Sequence, residues 1–264
     1  MKAKKSFGQH LLNRNDIAQD IADGLLLTAE NGGRVLEVGP GKGMLTQFLV
    51  EKKHNLVVVE ADKDMVTVLE KKYISLPKES GQVRIKIVFD DFMKFDLAKA
   101  FENQQFSLIG NFPYNISSQI VFKMIDNRHL VPEMVGMFQL EMADRVVAKP
   151  GGKDYGVISV LAQAYYDGVK LFNVDKSCFS PPPNVQSAVI RLTRKANQDL
   201  GCDAILFKNV VKTSFNQRRK MLRNTVRPFF DKDPSVLTDT FFNRRPETLS
   251  LEEFVALTKQ IAAL

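Results

Sequence analysis

Between residue 34 and about residue 140, short β-rich runs alternate with amphipathic stretches, and this alternation constrains the fold more than any other feature. We expect strands at residues 34–38, 56–60, 85–89, 106–110 and 134–139. Helical periodicity is present around residues 43–53, 63–75 and 116–128, and in a leading stretch near residues 15–27. Because parallel neighbours need a crossover connection, strands that alternate with helices indicate a parallel sheet. The predicted fold class is therefore α/β.

The pattern changes further along the chain. We expect a helix at residues 157–166, and then strands at residues 169–174 and 187–192 that form an antiparallel hairpin and close the sheet. After Lys195 only helical patterns recur, at residues 203–216, 218–229, 235–241 and 250–262. We therefore predict two domains: a sheet-containing domain at residues 1–195 and a small all-helical domain at residues 196–264.

Composition excludes several classes of protein. The chain has 264 residues, of which 44% are hydrophobic, enough to bury a substantial core. Its two cysteines, Cys178 and Cys202, match no metal or disulfide spacing, and a reducing cytoplasm fits them best. The basic N-terminus is followed by no apolar segment of signal-peptide length, and no run approaches the ~20 apolar residues of a membrane span. We expect a protein that neither crosses a membrane nor carries a secretion signal.

The net charge of +7 is unevenly distributed. Residues 185–264 hold 14 Lys and Arg against 8 Asp and Glu, a net of +6, which leaves +1 for residues 1–184. A localised positive field favours binding of a polyanion, whereas a diffuse one more often serves solubility. The helical domain is therefore a candidate nucleic-acid-binding domain.

A glycine-rich turn follows the first predicted strand and opens a helix. Its sequence, E-V-G-P-G-K-G at residues 37–43, places Gly39 and Gly41 where the backbone must turn tightly and approach a ligand closely. The spacing is G-x-G-x-G, not the G-x-G-x-x-G of dinucleotide-binding turns. The turn therefore favours another adenosine ligand over a pyrophosphate-bearing dinucleotide.

Two acidic residues follow the next two strands. Glu60 ends the second strand, where a carboxylate can accept two hydrogen bonds from a ribose diol. Asp91 follows the third strand, where it can accept a hydrogen bond from an adenine amine, and Ala61 and Phe92 can close on the flat ring. Each acid alone is more simply explained as a solvated loop residue. Because ligands bind at the carboxyl ends of parallel strands, three successive strand ends of this kind indicate one adenosine-shaped site.

The tetrapeptide Asn111-Phe112-Pro113-Tyr114 follows the fourth strand. Asn111 offers a carbonyl oxygen, Pro113 restrains the loop, and Tyr114 offers an aromatic face. Two interpretations stay open from these residues alone: a strand-ending turn, and a site that holds and stacks a nucleobase.

The order of these motifs resembles that of class I S-adenosylmethionine-dependent methyltransferases. Three further segments are S-F-G-Q-H-L-L at residues 6–12, F-S-P-P-P-N-V at residues 179–185 and F-N-Q-R-R-K at residues 215–220. Together they resemble the signatures of the KsgA/Dim1 family of ribosomal RNA adenine dimethyltransferases, from about residue 4 to residue 255. The resemblance implies a Rossmann-like catalytic domain with a small C-terminal helical RNA-binding domain.

The resemblance also implies roles for the cofactor-binding residues. His10 and Leu12 are expected to contact S-adenosylmethionine, although His10 stands where the family more often has Asn. Gly39 and Gly41 are implied at the methionine end, Glu60 at the ribose and Asp91 at the adenine. Asn111 is implied at the junction between the cofactor and the target base. We expect no metal site and no general-base role for His10.

For catalysis, the resemblance implies that the Asn111 oxygen and the Phe112 carbonyl hold the adenine amine, and that Pro113 sets the conformation of the loop. It also implies that Tyr114 and Phe179 stack on a base flipped out of the RNA. The expected RNA contacts are Arg218, Arg219, Lys220 and Arg223. The implied substrate is two adjacent adenosines in a hairpin loop near the 3′ end of 16S RNA, in the small ribosomal subunit. The enzyme is expected to act as a monomer in the cytoplasm.

Two alternative functions stay open. Antibiotic-resistance methyltransferases modify an adenine of large-subunit RNA with the same catalytic motif, but they usually lack an intact proline run and the N-Q-R-R-K segment. A non-catalytic assembly factor with the same fold is the other alternative, and the presence of Glu60, Asp91 and the tetrapeptide argues against it.

Overall fold

The structure, a computed structural model, describes residues 10–26, 33–73 and 85–264. The strands are β1 (Leu11–Leu12), β2 (Arg34–Val38), β3 (Asn55–Glu60), β4 (Ile85–Phe89), β5 (Ser107–Asn111), β6 (Glu133–Gln139), β7 (Tyr166–Val174), β8 (Phe179–Ser180) and β9 (Ser187–Arg194). The α-helices are α1 (Asn15–Asp23), α2 (Thr46–Glu51), α3 (Lys63–Tyr73), α4 (Ser117–Asp126), α5 (Leu140–Val147), α6 (Val157–Tyr165), α7 (Ala204–Phe215), α8 (Leu222–Thr225) and α9 (Leu251–Ala262). Residues 6–9 of the N-terminal segment lie outside the described ranges.

A seven-stranded sheet carries the fold, in the order β4-β3-β2-β5-β6-β9-β7. The pairs from β4 to β6 are all parallel, and β9 runs antiparallel to β6. The run L-V-V-V-E at residues 56–60 is buried throughout, as expected of a strand covered by helices on both faces. The prediction of an α/β fold with a parallel sheet is confirmed, and the carboxyl ends of β2, β3, β4 and β5 meet at one edge.

A second, two-stranded sheet was not expected from the sequence. In it β1 pairs antiparallel with β8, with Leu12 opposite Phe179. The Asn13 N–H extends the pairing by donating to the Cys178 carbonyl over 2.9 Å. The segment that begins at His10 is thereby tied to the segment that precedes the three prolines.

The chain divides into two compact units: Met1–Ala143 with Gly168–Arg194, and Asp144–Asp167 with Lys195–Leu264. The predicted division at residue 195 differs from these units because α6 belongs with the C-terminal helices. Helix α6 is apolar on nearly all sides and almost completely buried, so it needs partners all around.

Two helices predicted in the C-terminal region are wrong. Residues 218–229 contain only the short helix α8 and a 3₁₀ turn at Arg227–Phe229, and residues 235–241 are divided between the 3₁₀ turns Pro234–Thr238 and Thr240–Asn243. Pro228 and Pro234 each stand at the start of a turn, where the missing N–H costs no hydrogen bond. Within the described ranges, no helix is long and apolar enough to cross a membrane.

Candidate functional site

The glycine-rich turn between β2 and α2 adopts backbone conformations that favour glycine. Gly39, Gly41 and Gly43 have φ angles of 64°, 56° and 78°. The Gly39 N–H donates to the Val59 carbonyl over 2.9 Å, which fixes the turn to β3. These conformations give the tight turn that the sequence predicts, and Gly39 and Gly41 both line a cavity.

Glu60 is buried at the end of β3, where backbone amides hold its carboxylate. Oε2 accepts a hydrogen bond from the Gly41 N–H over 3.0 Å, and Oε1 accepts one from the Asp62 N–H over 2.9 Å. Burial raises the pKa of Glu60, and the two amides act in the opposite direction. The carboxylate therefore has a fixed orientation, with lone pairs left over for a diol.

One cavity of about 540 Å³ brings most of the predicted site residues together. Its lining includes His10, Gly39, Gly41, Glu60, Ala61, Asp91, Phe92, Asn111, Phe112, Pro113 and Tyr114. Leu12 lines a neighbouring cavity of about 680 Å³, which shares Gly39, Gly41 and Asn111 with the first. Within residues 10–26, 33–73 and 85–264, no group of three potential ligands could hold a metal ion.

The turn that contains Asp91 is held by a lysine that no pattern in the sequence indicated. The Lys123 ammonium group donates to the carbonyls of Phe92, Met93 and Phe95 over 2.7, 3.0 and 2.6 Å. Burial lowers the pKa of Lys123. Because α4 begins three residues after Tyr114, this lysine connects the Asp91 turn to the helix that follows the tetrapeptide.

The side chain of Asn111 is oriented by a hydrogen bond to the N-terminal segment. Its Nδ2 donates to the His10 carbonyl over 3.0 Å, which leaves Oδ1 as the acceptor that the side chain offers to a ligand. Asn111 is half-buried at the end of β5, where both cavities meet. The predicted acceptor at this position is therefore present and restrained.

Tyr114 lies in a ring stack. Its ring and that of His10 are 5.2 Å apart between centroids, with an interplanar angle of 28°. The Tyr114 hydroxyl shares a 2.6 Å hydrogen bond with Ser187 Oγ, and His10 Nδ1 lies 3.0 Å from the Pro181 carbonyl oxygen. The arrangement is a flat aromatic surface beside Asn111.

Phe179 does not line the 540 Å³ cavity, although the resemblance implies that its ring stacks on the flipped base. It is 2% exposed and packs in the hydrophobic core. The reason is the pairing of β8 with β1, which places Phe179 opposite the buried Leu12. A stacking role for Phe179 stays a prediction.

The four predicted RNA contacts lie in the second unit, on and after a turn at residues 216–220 that does not open a helix. Arg218 donates to the Gly152 carbonyl over 3.2 Å, and Arg223 donates to Asn243 Oδ1 over 2.9 Å. Arg219 and Lys220 are exposed. The turn thus presents cations at a surface, as a phosphate-binding segment requires.

Glu37 supports a prediction about stability. It is 1% exposed, it accepts a 2.7 Å hydrogen bond from the Thr46 hydroxyl, and burial raises its pKa to about 8. In the unfolded chain the carboxyl ionises near its ordinary pKa of 4.5, so between pH 4.5 and 8 only the unfolded state loses the proton. The contribution of Glu37 to the free energy of unfolding should therefore fall with rising pH in this window, by ~1 kcal/mol per pH unit.

We expect Glu37→Gln to remove the Glu37 contribution, so that the stability of the variant falls less with rising pH and exceeds that of the wild type at pH 8. Urea denaturation from pH 5.5 to 8.5, without cofactor, measures the difference. The exposed Glu70→Gln is the control and should follow the wild type. Parallel pH dependences for Glu37→Gln and the wild type would contradict the assignment.

Comparison with known proteins identifies close relatives over the full length. The family model described as ribosomal RNA adenine dimethylase matches residues 1–258. A protein of Bacteroides fragilis named ribosomal RNA small subunit methyltransferase A is 50% identical over 99% of this chain and 93% of its own length. Its namesake in Flavobacterium johnsoniae is 48% identical over 100% of this chain and 97% of its own length.

Solved structures show the same fold. A dimethyladenosine transferase from Plasmodium falciparum has a TM-score of 0.79 at 23% identity, covering 96% of this chain and 98% of its own. The 23S rRNA methyltransferase ErmE has a TM-score of 0.68 at 21% identity, covering 96% and 99%. The cavity beside the glycine turn, with Glu60 and Asp91 at its wall, suits S-adenosylmethionine. The chain belongs to the ribosomal RNA adenine dimethylases, S-adenosylmethionine-dependent enzymes that methylate adenine in ribosomal RNA.

Proposed function

We propose that this enzyme dimethylates the N6 amines of two adjacent adenosines in a hairpin loop near the 3′ end of 16S RNA, with the small ribosomal subunit as its substrate. The observation that carries the choice of subunit is the near-50% identity, over almost the whole chain, to relatives named small subunit methyltransferases. We propose a role in the biogenesis of that subunit, in the cytoplasm. We also propose that the enzyme acts as a monomer.

The cavity supports a division of binding roles. Glu60, held by two backbone amides, accepts from the ribose hydroxyls, and the bare backbone at Gly39 and Gly41 lets the methionine end approach closely. Asp91 accepts from the adenine amine between the side chains of Ala61 and Phe92. His10 and Leu12 cover the cofactor from the N-terminal segment.

The catalytic problem is that an adenine amine is a poor nucleophile, because its lone pair is delocalised into the ring. Bound S-adenosylmethionine supplies an electrophilic methyl group. The Asn111 oxygen and the Phe112 carbonyl accept the two amine hydrogens, which favours a pyramidal nitrogen and directs its lone pair at the methyl carbon. Their dipoles also stabilise the positive charge that develops on nitrogen, and the surplus proton leaves to solvent.

The target base must leave its stack before the amine can be reached. The ring of Tyr114 is the surface on which the base stacks, with Pro113 as the rigid part of the loop. The hydrogen bond to Ser187 fixes the tyrosine hydroxyl and thus the tilt of this ring. Phe179 stacks on the opposite face of the base only after its ring is displaced from the core position that it occupies in this structure.

The exposed pair Arg219 and Lys220 leads to a prediction about RNA binding. We expect the double change Arg219→Ala with Lys220→Ala to weaken RNA binding by ~10-fold and to reduce the slope of log affinity against log salt by about 2, since each phosphate contact adds about 1 to that slope. Binding of labelled 3′-terminal 16S RNA across a salt series measures both values.

A matched control separates local contacts from net charge. Lys86→Ala with Lys99→Ala removes the same charge at two exposed positions of the first unit. It should leave the salt slope close to that of the wild type. An equal loss in both double variants would show that only overall charge matters.

The proposed substrate is tested by incubating the protein and labelled S-adenosylmethionine with isolated small and large subunits, followed by mass spectrometry of the RNA. We expect two adjacent dimethyladenosines in small-subunit RNA. Exclusive labelling of the large subunit would favour the resistance-type activity. Binding to small subunits without methyl transfer would favour an assembly factor.

A further inference from the structure

We propose that Gly136 is a positioning residue for methyl transfer, because the space above it holds the ring of Phe112 and thereby aims the Phe112 carbonyl. This inference rests on the proposed role of that carbonyl as an acceptor for the adenine amine. Phe112 is 1% exposed as a whole residue, so its ring is not available to a substrate as a stacking surface. The buried ring therefore serves to hold the loop that follows β5 in place.

Two glycines form the floor beneath the ring. Gly110 of β5 and Gly136 of β6 are direct partners in the parallel register. A Cβ built on Gly136 would lie 2.2 Å from Cε2 and 2.7 Å from Cδ2 of Phe112, whereas a Cβ on Gly110 would lie 2.8 Å from Cε1 and 3.0 Å from Cδ1. Each edge of the ring thus lies over one glycine, at distances that no Cβ could occupy.

Two more contacts complete the restraint. The Phe138 ring meets the Phe112 ring edge-on, with centroids 5.1 Å apart and an interplanar angle of 63°. The Phe112 N–H donates to the Met137 carbonyl over 3.2 Å. Side chain and backbone of residue 112 are thus both fixed to β6, and its carbonyl direction follows from them.

Gly136 is required for space and not for backbone conformation. It has no positive φ, unlike Gly39 and Gly41, and it lies inside a regular strand, where glycine is otherwise unfavourable. Alanine therefore fits the backbone of β6 and conflicts with two aromatic side chains, the Phe112 ring and Cε2 of Phe138, which would lie 2.8 Å from the added Cβ. Gly110 differs, because its added Cβ would also lie 2.7 Å from the Val38 carbonyl oxygen, a backbone atom that cannot yield.

This difference defines a rescue experiment. We expect Gly136→Ala to lower kcat by at least ~10-fold while the Kd for S-adenosylmethionine, measured by calorimetry, changes less than about twofold. Phe112→Leu removes Cε2 and leaves space into which the Phe138 ring can also shift, because that ring packs against the Phe112 ring. Gly136→Ala with Phe112→Leu should therefore recover most of the kcat of Phe112→Leu alone. Gly110→Ala with Phe112→Leu is the matched control and should not recover.

The outcomes separate the two proposals. Suppose that the wild type methylates small-subunit RNA, so that the proposed function stands. The positioning role is then wrong if Gly136→Ala has the kcat of the wild type. It is also wrong if Gly136→Ala with Phe112→Leu is folded and no faster than Gly136→Ala. If the wild type fails on small subunits, the proposed function fails. Should Gly136→Ala not fold, Phe138→Leu tests the same restraint without adding atoms: a lower kcat at unchanged cofactor Kd supports it, and an unchanged kcat overturns it.

Discussion

Replacement of Asn111 by alanine is expected to lower turnover by ~10²- to 10³-fold, the usual effect of removing one preorganised polar group that stabilises a transition state. The side chain supplies the acceptor Oδ1, and its orientation is already fixed by the bond from Nδ2 to the His10 carbonyl. Because this group acts on the amine and not on the ribose or adenine of the cofactor, the Kd for S-adenosylmethionine should change by less than about tenfold. Single-turnover kinetics at saturating cofactor, together with calorimetry, measure the two values.

The variant also loses the bond to His10, and a control must account for that loss. Asn111→Asp retains an acceptor oxygen without the donor, so a higher turnover in Asn111→Asp than in Asn111→Ala identifies the acceptor as the catalytic feature. The exposed Asn173→Ala on the edge strand β7 should behave as wild type. Wild-type turnover in Asn111→Ala would refute the amine-holding role.

Local pattern was sufficient to predict the part of the site that lies at strand ends. The strands Arg34–Val38 and Ile85–Phe89 begin and end at the predicted residues. Periodicity and turn chemistry are properties of neighbouring residues, and a parallel sheet then brings its carboxyl ends to one edge. The glycine turn, Glu60, Asp91 and Asn111 could therefore be expected around one cavity, and they line it.

Contacts between distant residues could not be predicted in this way. His10 and Pro181 are 171 positions apart, and Asn111 and His10 are 101 apart. The strands β1 and β8 have two residues each, too short for any periodicity, yet their pairing buries Phe179. One feature of the sequence indicates the close packing of the Phe112 ring on β6. Gly136 interrupts an apolar strand, and a glycine inside a strand often marks the close approach of another group.

Replacement of Glu60 by alanine should give the opposite pattern from Asn111, with ~10²-fold weaker S-adenosylmethionine binding and little change in kcat at saturating cofactor. Hydrogen bonds to a charged acceptor contribute about 1.5–3 kcal/mol each, and the ribose diol would lose this acceptor. The change also releases the Gly41 and Asp62 amides that the carboxylate holds, which adds to the loss. Calorimetry gives the Kd, and initial rates across a cofactor series give kcat and KM separately.

The raised pKa of Glu60 adds a test by pH. Since burial favours the protonated form and the diol needs the ionised acceptor, cofactor affinity in the wild type should fall as pH decreases toward this raised pKa. Glu60→Gln cannot ionise, so its weaker affinity should not show this dependence. The exposed Glu51→Ala, at the end of α2, should match the wild type in both Kd and pH profile. If Glu60→Ala instead bound S-adenosylmethionine with the wild-type Kd but had a reduced kcat, the role in cofactor binding would be wrong. The carboxylate would then act only after the cofactor is bound, in the chemical step.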